Sequence, residues 1–235
     1  MKIGAIILSR MDSSRLPGKA LLEVGGKPIL AYALSLCQKI DDFDSITLAT
    51  STRTIDDPLS DFAKFHNIKC FRGSLDNVAD RFLSAMKFSN LDAAVRVNGD
   101  SPLNNKDLVV GGIEIFKRGN IDIVSNVPER TYPYGMSVEV VGRKPMERAC
   151  SLMSDFQHKE HVTKYFYDNS DKFNISLIRS GTAKFSDVQL AIDTQEDFEK
   201  FEWIIENLEC DPSESDIATL VRLAKDYYQI IDKKI

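Results

Sequence analysis

The chain begins with the run Ile3-Gly4-Ala5-Ile6-Ile7-Leu8, which passes directly into the loop Ser9-Arg10-Met11-Asp12-Ser13-Ser14-Arg15-Leu16-Pro17-Gly18-Lys19. A short apolar, β-branched run that stops at turn residues predicts a buried strand. The loop holds three cations, small hydroxyl residues and a Pro-Gly turn. Because open α/β sheets bind their ligands beyond the carboxyl ends of the strands, the loop predicts a site for a polyphosphate.

Similar apolar runs recur along the chain, and helix-period segments separate the earlier ones. The sequence predicts strands at residues 3–8, 45–50, 93–97, 121–124, 137–141 and 189–192. It predicts helices at residues 29–40, 55–65, 78–88, 107–116, 144–153, 159–169, 198–208 and 217–228. Strands that alternate with helices are typical of a parallel sheet with crossover helices. We therefore predict a doubly wound α/β fold with a mostly parallel sheet.

The length of 235 residues favours a single domain that spans residues 1–235. After Ser125 the pattern changes, because Pro128, Pro133 and Gly135 interrupt the chain. We interpret residues from about 126 to 185 as a small inserted lobe, and we expect this lobe to carry an acceptor pocket or a dimer contact. The run at 189–192 is expected to return to the main sheet.

The charge distribution indicates the kind of partner. The formal net charge is −5, which disfavours a broad nucleic-acid groove. Residues 1–30 reverse this balance, since five Lys and Arg residues stand there against two acidic residues. Cations concentrated in an acidic chain indicate one focused site for an anionic small molecule, and no nucleic acid is expected.

The four cysteines are scattered and form no C-x-x-C pair, so the sequence predicts neither a zinc site nor a disulfide framework. Reduced thiols favour a cytoplasmic protein. No apolar run approaches the roughly 20 residues of a membrane span, and the early strand does not resemble a signal peptide. We therefore expect a cytoplasmic location and no membrane partner.

The opening loop has no Walker or dinucleotide glycine pattern, so its chemistry must come from its own residues. Arg15 and Lys19 lie four residues apart across the Pro-Gly turn. This spacing lets both cations face one phosphate chain, while backbone N–H groups near Ser13 and Ser14 line an anion nest. A solvated basic loop is the alternative interpretation.

Two carboxylates follow predicted strands. Asp100 comes after Asn98-Gly99 at the end of the run 93–97, and Asp193 follows the run 189–192. Mg²⁺ commonly takes one or two carboxylates together with substrate oxygens and waters, so the pair predicts a magnesium site opposite the basic loop. The alternative for Asp193 is that it caps the following helix.

Several motifs together resemble one enzyme family. The segment 6–19, followed by Gly26-Lys27-Pro28, is similar to the N-terminal signature of sugar-activating cytidylyltransferases. The most similar branch is the spore-coat-polysaccharide (SpsF-like) group, related to the CMP-Kdo and CMP-sialate synthetases. Matching motifs follow in the same order at residues 71–82, 95–102, 130–135, 160–163 and 192–197. The resemblance runs from residue 3 to about residue 203.

The resemblance implies the Rossmann-like fold of nucleotide-diphospho-sugar transferases and a Mg²⁺-dependent transfer of CMP from CTP to an acidic sugar, with release of pyrophosphate, for surface polysaccharide or glycan biosynthesis. It also implies a homodimer. The catalytic residues implied are Arg10, Arg15, Lys19 and Asp100. Mg²⁺ is assigned to Asp100 and Asp193.

The same resemblance, together with the loop chemistry, assigns the two substrates. The predicted nucleotide-binding residues are Leu8, Ser9, Arg10, Ser14, Arg15, Lys19, Ala49, Thr50, Ser51, Arg72, Ser74, Asp80, Arg81 and Asn98. The predicted acceptor-binding residues are Asn98, Arg130, Tyr134, Glu139 and His161. For Arg130, Tyr134 and Glu139, solvated loop and strand roles are the alternative, and for His161 it is a structural or surface role.

Two departures from the family pattern lie in the opening loop. Leu8 stands where the branch usually has an amide, and Asp12 adds a negative charge beside the predicted triphosphate site. Asp12 is expected to point outward, to join the metal, or to weaken nucleotide binding. The alternatives are therefore a nucleotidyltransferase with a different nucleotide or a non-sugar acceptor, such as a phosphonate or polyol phosphate, and a catalytically silent nucleotide-binding subunit.

Overall fold

A computed structural model describes residues 1–181 and 185–232. The strands are β1 (Ile3–Leu8), β2 (Glu23–Val24), β3 (Lys27–Pro28), β4 (Ser45–Ser51), β5 (Lys69–Gly73), β6 (Ala93–Asn98), β7 (Ile123–Ser125), β8 (Glu139–Gly142) and β9 (Ile175–Leu177). The α-helices are α1 (Ile29–Gln38), α2 (Asp57–Phe65), α3 (Val78–Phe88), α4 (Lys106–Lys117), α5 (Arg143–Leu152), α6 (Phe156–Glu160), α7 (Lys164–Asp168), α8 (Gln195–Glu206) and α9 (Ile217–Asp232).

Seven strands form the main sheet in the order β5-β4-β1-β6-β8-β7-β9. The first four of these strands are parallel to one another, and β7 and β9 are also parallel, whereas β8 runs antiparallel to both β6 and β7. Strand β1 lies inside the sheet, and its end, Leu8, pairs with Ala49 and Asn98. The opening loop therefore begins at the edge of the sheet where the carboxyl ends of β1, β4 and β6 lie side by side.

Helices cover both faces of the sheet. Along β1, Ile3, Ala5 and Ile7 belong to one buried cluster, together with apolar residues of α1, α2, α4, α8 and α9. Ile6 points to the other cluster, which α3, α5 and α7 complete. Alternate residues of a strand face opposite sides of a sheet, so this partition follows from the strand pattern. The predicted doubly wound, mostly parallel α/β fold is confirmed.

The segment 126–185, predicted as an inserted lobe, contributes β8 and β9 to the main sheet and supplies α5, α6 and α7. Its residues 182–184 lie outside the described residues. The predicted helix at 159–169 is instead two short helices, because His161 has non-helical backbone angles between them. No helix within residues 1–181 and 185–232 is long and apolar enough to cross a membrane.

The predicted strand at 189–192 is wrong. Residues 189–192 make a single bridge, between Gln189 and Tyr134, rather than a strand of the main sheet. The backbones of Gly135 and Ala191 approach closely beside this bridge. Gly135 has a φ of +95°, and a Cβ there would lie 2.5 Å from the backbone nitrogen of Ala191, so the approach requires glycine. The segment is buried through Leu190 and Ile192 without entering the sheet, which explains its strand-like apolar pattern.

Candidate active site

Lys19 lies at the centre of the candidate site. Gly18 adopts the left-handed conformation, with φ +71°, and its N–H donates to the Met11 carbonyl at 2.9 Å, which closes the opening loop. The loop thereby directs the Lys19 Nζ toward two carboxylates: it donates to Asp100 Oδ2 at 2.8 Å and to Asp193 Oδ1 at 3.1 Å. A third bond reaches the Ile192 carbonyl at 2.6 Å.

Asp100 and Asp193 are brought together by the backbone. Asp100 follows the end of β6, and its carbonyl accepts a hydrogen bond of 2.9 Å from the Ile192 N–H. Asp193 also binds Arg15, with 3.0 Å between Oδ1 and Nη2. The basic loop and the two predicted metal ligands therefore meet in one place.

Asp193 is not the N-cap of α8. Thr194 occupies that position and forms a capping box with Asp197, whose carboxylate accepts the backbone N–H groups of Asp193 and Thr194 at 3.1 Å each. The box satisfies N–H groups that a helix start leaves unpaired. It leaves the Asp193 carboxylate to face the basic loop.

The donor set of Asp100 and Asp193 fits a divalent cation that is shared with a substrate. Each carboxylate keeps one oxygen that does not bond to Lys19. Asp100 Oδ1 lies 3.4 Å from Ser101 Oγ, and Asp193 Oδ2 lies 3.5 Å from Gln189 Nε2. The described part of the chain contains no cluster of three or more His, Cys, Asp or Glu side chains suited to a metal. An ion held here would take its remaining ligands from substrate oxygens and water, as Mg²⁺ commonly does.

Asp12, the acidic departure in the loop, is held by arginines. Its carboxylate lies 2.6 Å from Arg53 Nη1 and 3.4 Å from Arg10 Nε. The hydrogen bond from Arg53 is the main reason that the pKa of Asp12 lies below its usual value, despite partial burial. Asp56, which is fully buried, accepts the N–H of Met11 at 2.8 Å and also pairs with Arg53, so it holds the opening loop beside Arg53. The extra negative charge is therefore paired.

We expect Arg53→Met to weaken CTP binding about two- to fivefold, because Asp12 would then face the phosphate site with its charge less compensated. Titration calorimetry at low and high ionic strength measures this change, and salt is expected to reduce the difference. The double variant Arg53→Met/Asp12→Ser should regain the affinity. Equal CTP affinity of Arg53→Met and wild type at low salt would contradict the role of Arg53.

Two adjoining cavities surround these residues. The first, of about 390 Å³, is lined mainly by the opening loop and by ends of strands. Of the predicted residues, it is lined by Leu8, Ser9, Arg10, Ser14, Arg15, Lys19, Arg81, Asn98, Asp100, His161 and Asp193. The second cavity, of about 450 Å³, is lined by the predicted residues Asn98, Asp100, Arg130, Tyr134, Glu139, His161 and Asp193. Asn98, Asp100, His161 and Asp193 line both cavities, so the two spaces meet at the carboxylates.

Six predicted nucleotide-binding residues lie outside both cavities. They are Ala49, Thr50, Ser51, Arg72, Ser74 and Asp80. Ser51 is fully buried and donates to Asp56, while Arg72 donates to the Ser51 carbonyl at 2.9 Å and pairs with Asp57. The Ser74 carbonyl accepts a bond of 2.6 Å from Arg81, which reaches into the first cavity. Burial lowers the pKa of Arg81 to about 10, and the nearby charge of Arg10 acts in the same direction.

Sequence reasoning missed several charged residues in or beside the site, among them Arg96, Glu160, Lys164 and Asp56. Arg96 lines both cavities, and Glu160 lines the first and accepts from Arg10 at 3.5 Å. The sequence did carry a signal for Arg96, which is the charged residue inside the apolar run 93–97. A charged side chain in such a run is expected to be buried only when it pairs with a partner of opposite charge. That partner is Glu139, which lies on β8 and binds Arg96 Nη1.

The fold and the site together define a nucleotidyltransferase of the α/β class. The family model described as "Cytidylyltransferase" matches residues 4–235, and the chain belongs to this family. A solved cytidylyltransferase from Leptospira borgpetersenii is 30% identical, with a TM-score of 0.91 over 98% of this chain and 97% of that one.

Two further relatives are more distant. The spore coat polysaccharide biosynthesis protein SpsF of Bacillus subtilis is 27% identical over 228 residues, which cover 92% of each chain. A CMP:2-keto-3-deoxy-manno-octonic acid synthetase, solved in complex with CTP, is 16% identical. It shares the fold, with a TM-score of 0.65 over 88% of this chain and 99% of that one. The family membership confirms the resemblance seen in the sequence motifs.

Proposed function

We propose that this cytidylyltransferase joins CMP from CTP to an acidic sugar of the octulosonate or nonulosonate kind, with Mg²⁺ and with release of pyrophosphate, for a surface polysaccharide or glycan. The observation that carries the proposal is the meeting of the two cavities at Asn98, Asp100 and Asp193. One cavity is bordered by the basic loop, which suits a triphosphate, and the other offers room for a second substrate.

The triphosphate would lie along the opening loop. Arg15 is exposed over 61% of its side chain, so its guanidinium is accessible to phosphate oxygens. Lys19 is nearly buried and supplies a fixed positive charge at the base of the cavity. Arginine offers forked hydrogen bonds and lysine a point charge, a combination suited to a phosphate chain.

Asp100 and Asp193 would hold Mg²⁺. When bound, the ion neutralises charge on the phosphate oxygens of the nucleotide. The carboxylates remain positioned for this role by Lys19 and by the capping box that fixes the backbone of Asp193.

The reaction is a substitution at the α-phosphorus of CTP. An acceptor hydroxyl oxygen forms the new bond to that phosphorus, the bond to the bridging oxygen between the α- and β-phosphorus atoms breaks, and pyrophosphate departs as the hydroxyl proton is lost. Such transfers depend mainly on positioning and on stabilisation of charge, so the chain needs to supply little covalent chemistry. Arg10, Arg15 and Lys19 stabilise the phosphate oxygens, while Asn98 orients the acceptor at the junction of the cavities.

Purified protein with CTP, Mg²⁺ and a panel of 3-deoxy-octulosonic and nonulosonic acids tests the proposal through pyrophosphate release. We expect release with at least one acid, and a larger thermal shift with CTP than with UTP, GTP or ATP. A larger response to another nucleotide, or turnover only with a phosphonate or polyol phosphate, would replace the proposed substrates. Binding of CTP without turnover of any acceptor would favour the silent subunit.

The biological setting belongs to the same proposal. A cytoplasmic homodimer would suit an enzyme that uses the CTP pool, and gel filtration with light scattering measures the oligomeric state directly. A monomer at assay concentrations that retains full turnover would remove the dimer from the proposal.

A further inference from the structure

Arg96 is a charged residue in the middle of the otherwise apolar strand β6. Antiparallel register pairs Val95 with Val140, which places Arg96 opposite Glu139 on β8. The two side chains form an ion pair through Arg96 Nη1 and Glu139 Oε2. Cross-strand neighbours of opposite charge are expected to pair, so the register determines this contact.

Glu139 is buried and bonded to protein partners through both of its oxygens. Its side chain is 1% exposed, and its second oxygen accepts hydrogen bonds from Thr163 Oγ1 and Tyr167 Oη. Burial raises the pKa of Glu139, but Arg96 and the two hydroxyl groups outweigh that effect and hold the pKa below its usual value. Glu139 is thus a charged anchor for Arg96 rather than a contact for the acceptor.

Arg96, in contrast, has unused donors. A guanidinium carries five N–H groups, and the only bond found for Arg96 among the described residues uses Nη1. Its Nε is buried without a partner in that part of the chain. The side chain is 22% exposed and lines both cavities at their junction. One edge of the guanidinium is therefore fixed by Glu139, and Nη2 makes no hydrogen bond among the described residues of a side chain that lines both cavities.

The charges of the second cavity favour an anion near Arg96. Asp100 and Asp193 are compensated by Lys19 and Arg15 together, and Glu139 is enclosed. Arg130 lies 4.3 Å from the ring centre of Tyr134 and has no ion pair within residues 1–181 and 185–232. Arg130 thus supplies positive charge to the second cavity, and Arg96, whose charge is paired with Glu139, supplies N–H donors that the protein leaves unused.

We propose that Arg96 binds the anionic group of the acceptor and makes the enzyme selective for acidic sugars. This inference rests on the proposed acidic acceptor and adds the residue that recognises its charge. A carboxylate on the free donors of Arg96 would form charge-assisted hydrogen bonds with a guanidinium that Glu139 already holds in place, which reduces the entropy lost on binding. Arg96 acts on binding and positioning of the acceptor and does not contact the leaving group.

The test compares wild type with Arg96→Lys and with the double variant Arg96→Met/Glu139→Gln. The double variant is used because Arg96→Met alone would leave a buried carboxylate without its cation and destabilise the fold. The acceptors are 3-deoxy-manno-octulosonate and N-acetylneuraminate, each as the acid and as its methyl ester. Pyrophosphate release gives KM and kcat, and calorimetry gives the Kd for CTP.

We expect the double variant to raise KM for the acid about 10- to 100-fold, because charged hydrogen bonds to the acceptor are lost. Its kcat and its Kd for CTP should change less than about threefold, and the preference for acid over ester should disappear. Arg96→Lys should lie between wild type and the double variant. Glu139→Gln alone keeps the guanidinium but removes the charge that holds it, so it should raise KM for the acid less than the double variant does and retain part of the preference for acid over ester.

Four results would overturn the inference. Unchanged KM in Arg96→Lys and in the double variant, with lower melting temperature only, would give Arg96 a structural role. A weakened Kd for CTP with unchanged acceptor KM would assign it to the nucleotide. An unchanged preference for acid over ester would remove it from charge recognition. Binding of CTP by wild type without turnover of any acid of the panel would overturn the acidic acceptor and this inference together, whereas the first three results leave the proposed function intact.

Discussion

Asp100→Asn is expected to lower kcat about 10²- to 10³-fold, the loss that follows removal of one preorganised charge or hydrogen-bonding group from a transition state. Asp100 lies at the junction of both cavities and shares Lys19 with Asp193, so the neutral amide removes a proposed metal ligand and unbalances the charge of Lys19. Single-turnover measurement of pyrophosphate release gives the effect on chemistry. Binding of Mn²⁺ in the presence of CTP, followed by electron paramagnetic resonance, gives the effect on the metal.

The control is Asp107→Asn, an exposed carboxylate in the first turn of α4 that is outside both cavities. It should retain turnover within about twofold. The melting temperature of Asp100→Asn should stay near that of wild type, because the Asp100 side chain is 34% exposed. Full turnover or full Mn²⁺ binding by Asp100→Asn would remove Asp100 from the metal role.

The parts of the site that follow from local sequence could be predicted. Lys19 and Asp100 each follow a strand that its apolar run reveals, and carboxyl ends of neighbouring parallel strands meet at one edge of the sheet. Topology therefore brings them together without any knowledge of side-chain contacts. Asp193 reached the same place although the predicted strand before it was wrong, because the bridge at Gln189 still directs residue 193 toward Lys19.

Other parts depend on pairings that a single sequence does not specify. The contact between Arg96 and Glu139 requires β8 to lie antiparallel beside β6, whereas alternating strands and helices predict parallel neighbours. The sequence therefore predicts Glu139 as an acceptor contact or a strand residue, and not as the partner of Arg96. The capping box, by contrast, had a readable signal in Thr194-Gln195-Glu196-Asp197, since a hydroxyl residue followed three positions later by an acidic residue is typical of a helix start.

Strands β5 and β9 were not predicted, for two different physical reasons. The sequence of β5, Lys69-Cys70-Phe71-Arg72-Gly73, carries two cations, which are tolerated because it is an edge strand of the sheet. β9 has only three residues and forms the opposite edge, so it is too short for an alternating pattern to be recognised.

The largest stability effect is expected at a buried pair that supports Asp193. Lys200 is 2% exposed and donates to Asp197 Oδ1 at 3.0 Å, while the other oxygen of Asp197 accepts the N–H groups of Asp193 and Thr194. We expect Lys200→Met to lower the free energy of unfolding by about 3–5 kcal/mol, because Asp197 loses its cation inside the protein. Chemical denaturation monitored by circular dichroism measures this change. Arg222→Met is the matched control, since its partner Asp226 is exposed and such a pair contributes at most about 1 kcal/mol.

The pH dependence separates the charge of this pair from its packing. Burial raises the pKa of Asp197, but Lys200 and Thr194 outweigh it, so the pKa in the folded protein lies below its ordinary value. A carboxyl with a depressed pKa stabilises the fold above its pKa in the unfolded chain, about 3.9, and loses that contribution as the pH falls through the lower folded value. In Lys200→Met the largest lowering influence on Asp197 is gone, so the pKa of Asp197 is higher than in wild type and protonation relieves the unpaired charge as the pH falls. The stability difference between wild type and Lys200→Met should therefore shrink from pH 7 toward about pH 4, whereas a constant difference would mean that lost packing, not the charge of Asp197, causes the effect.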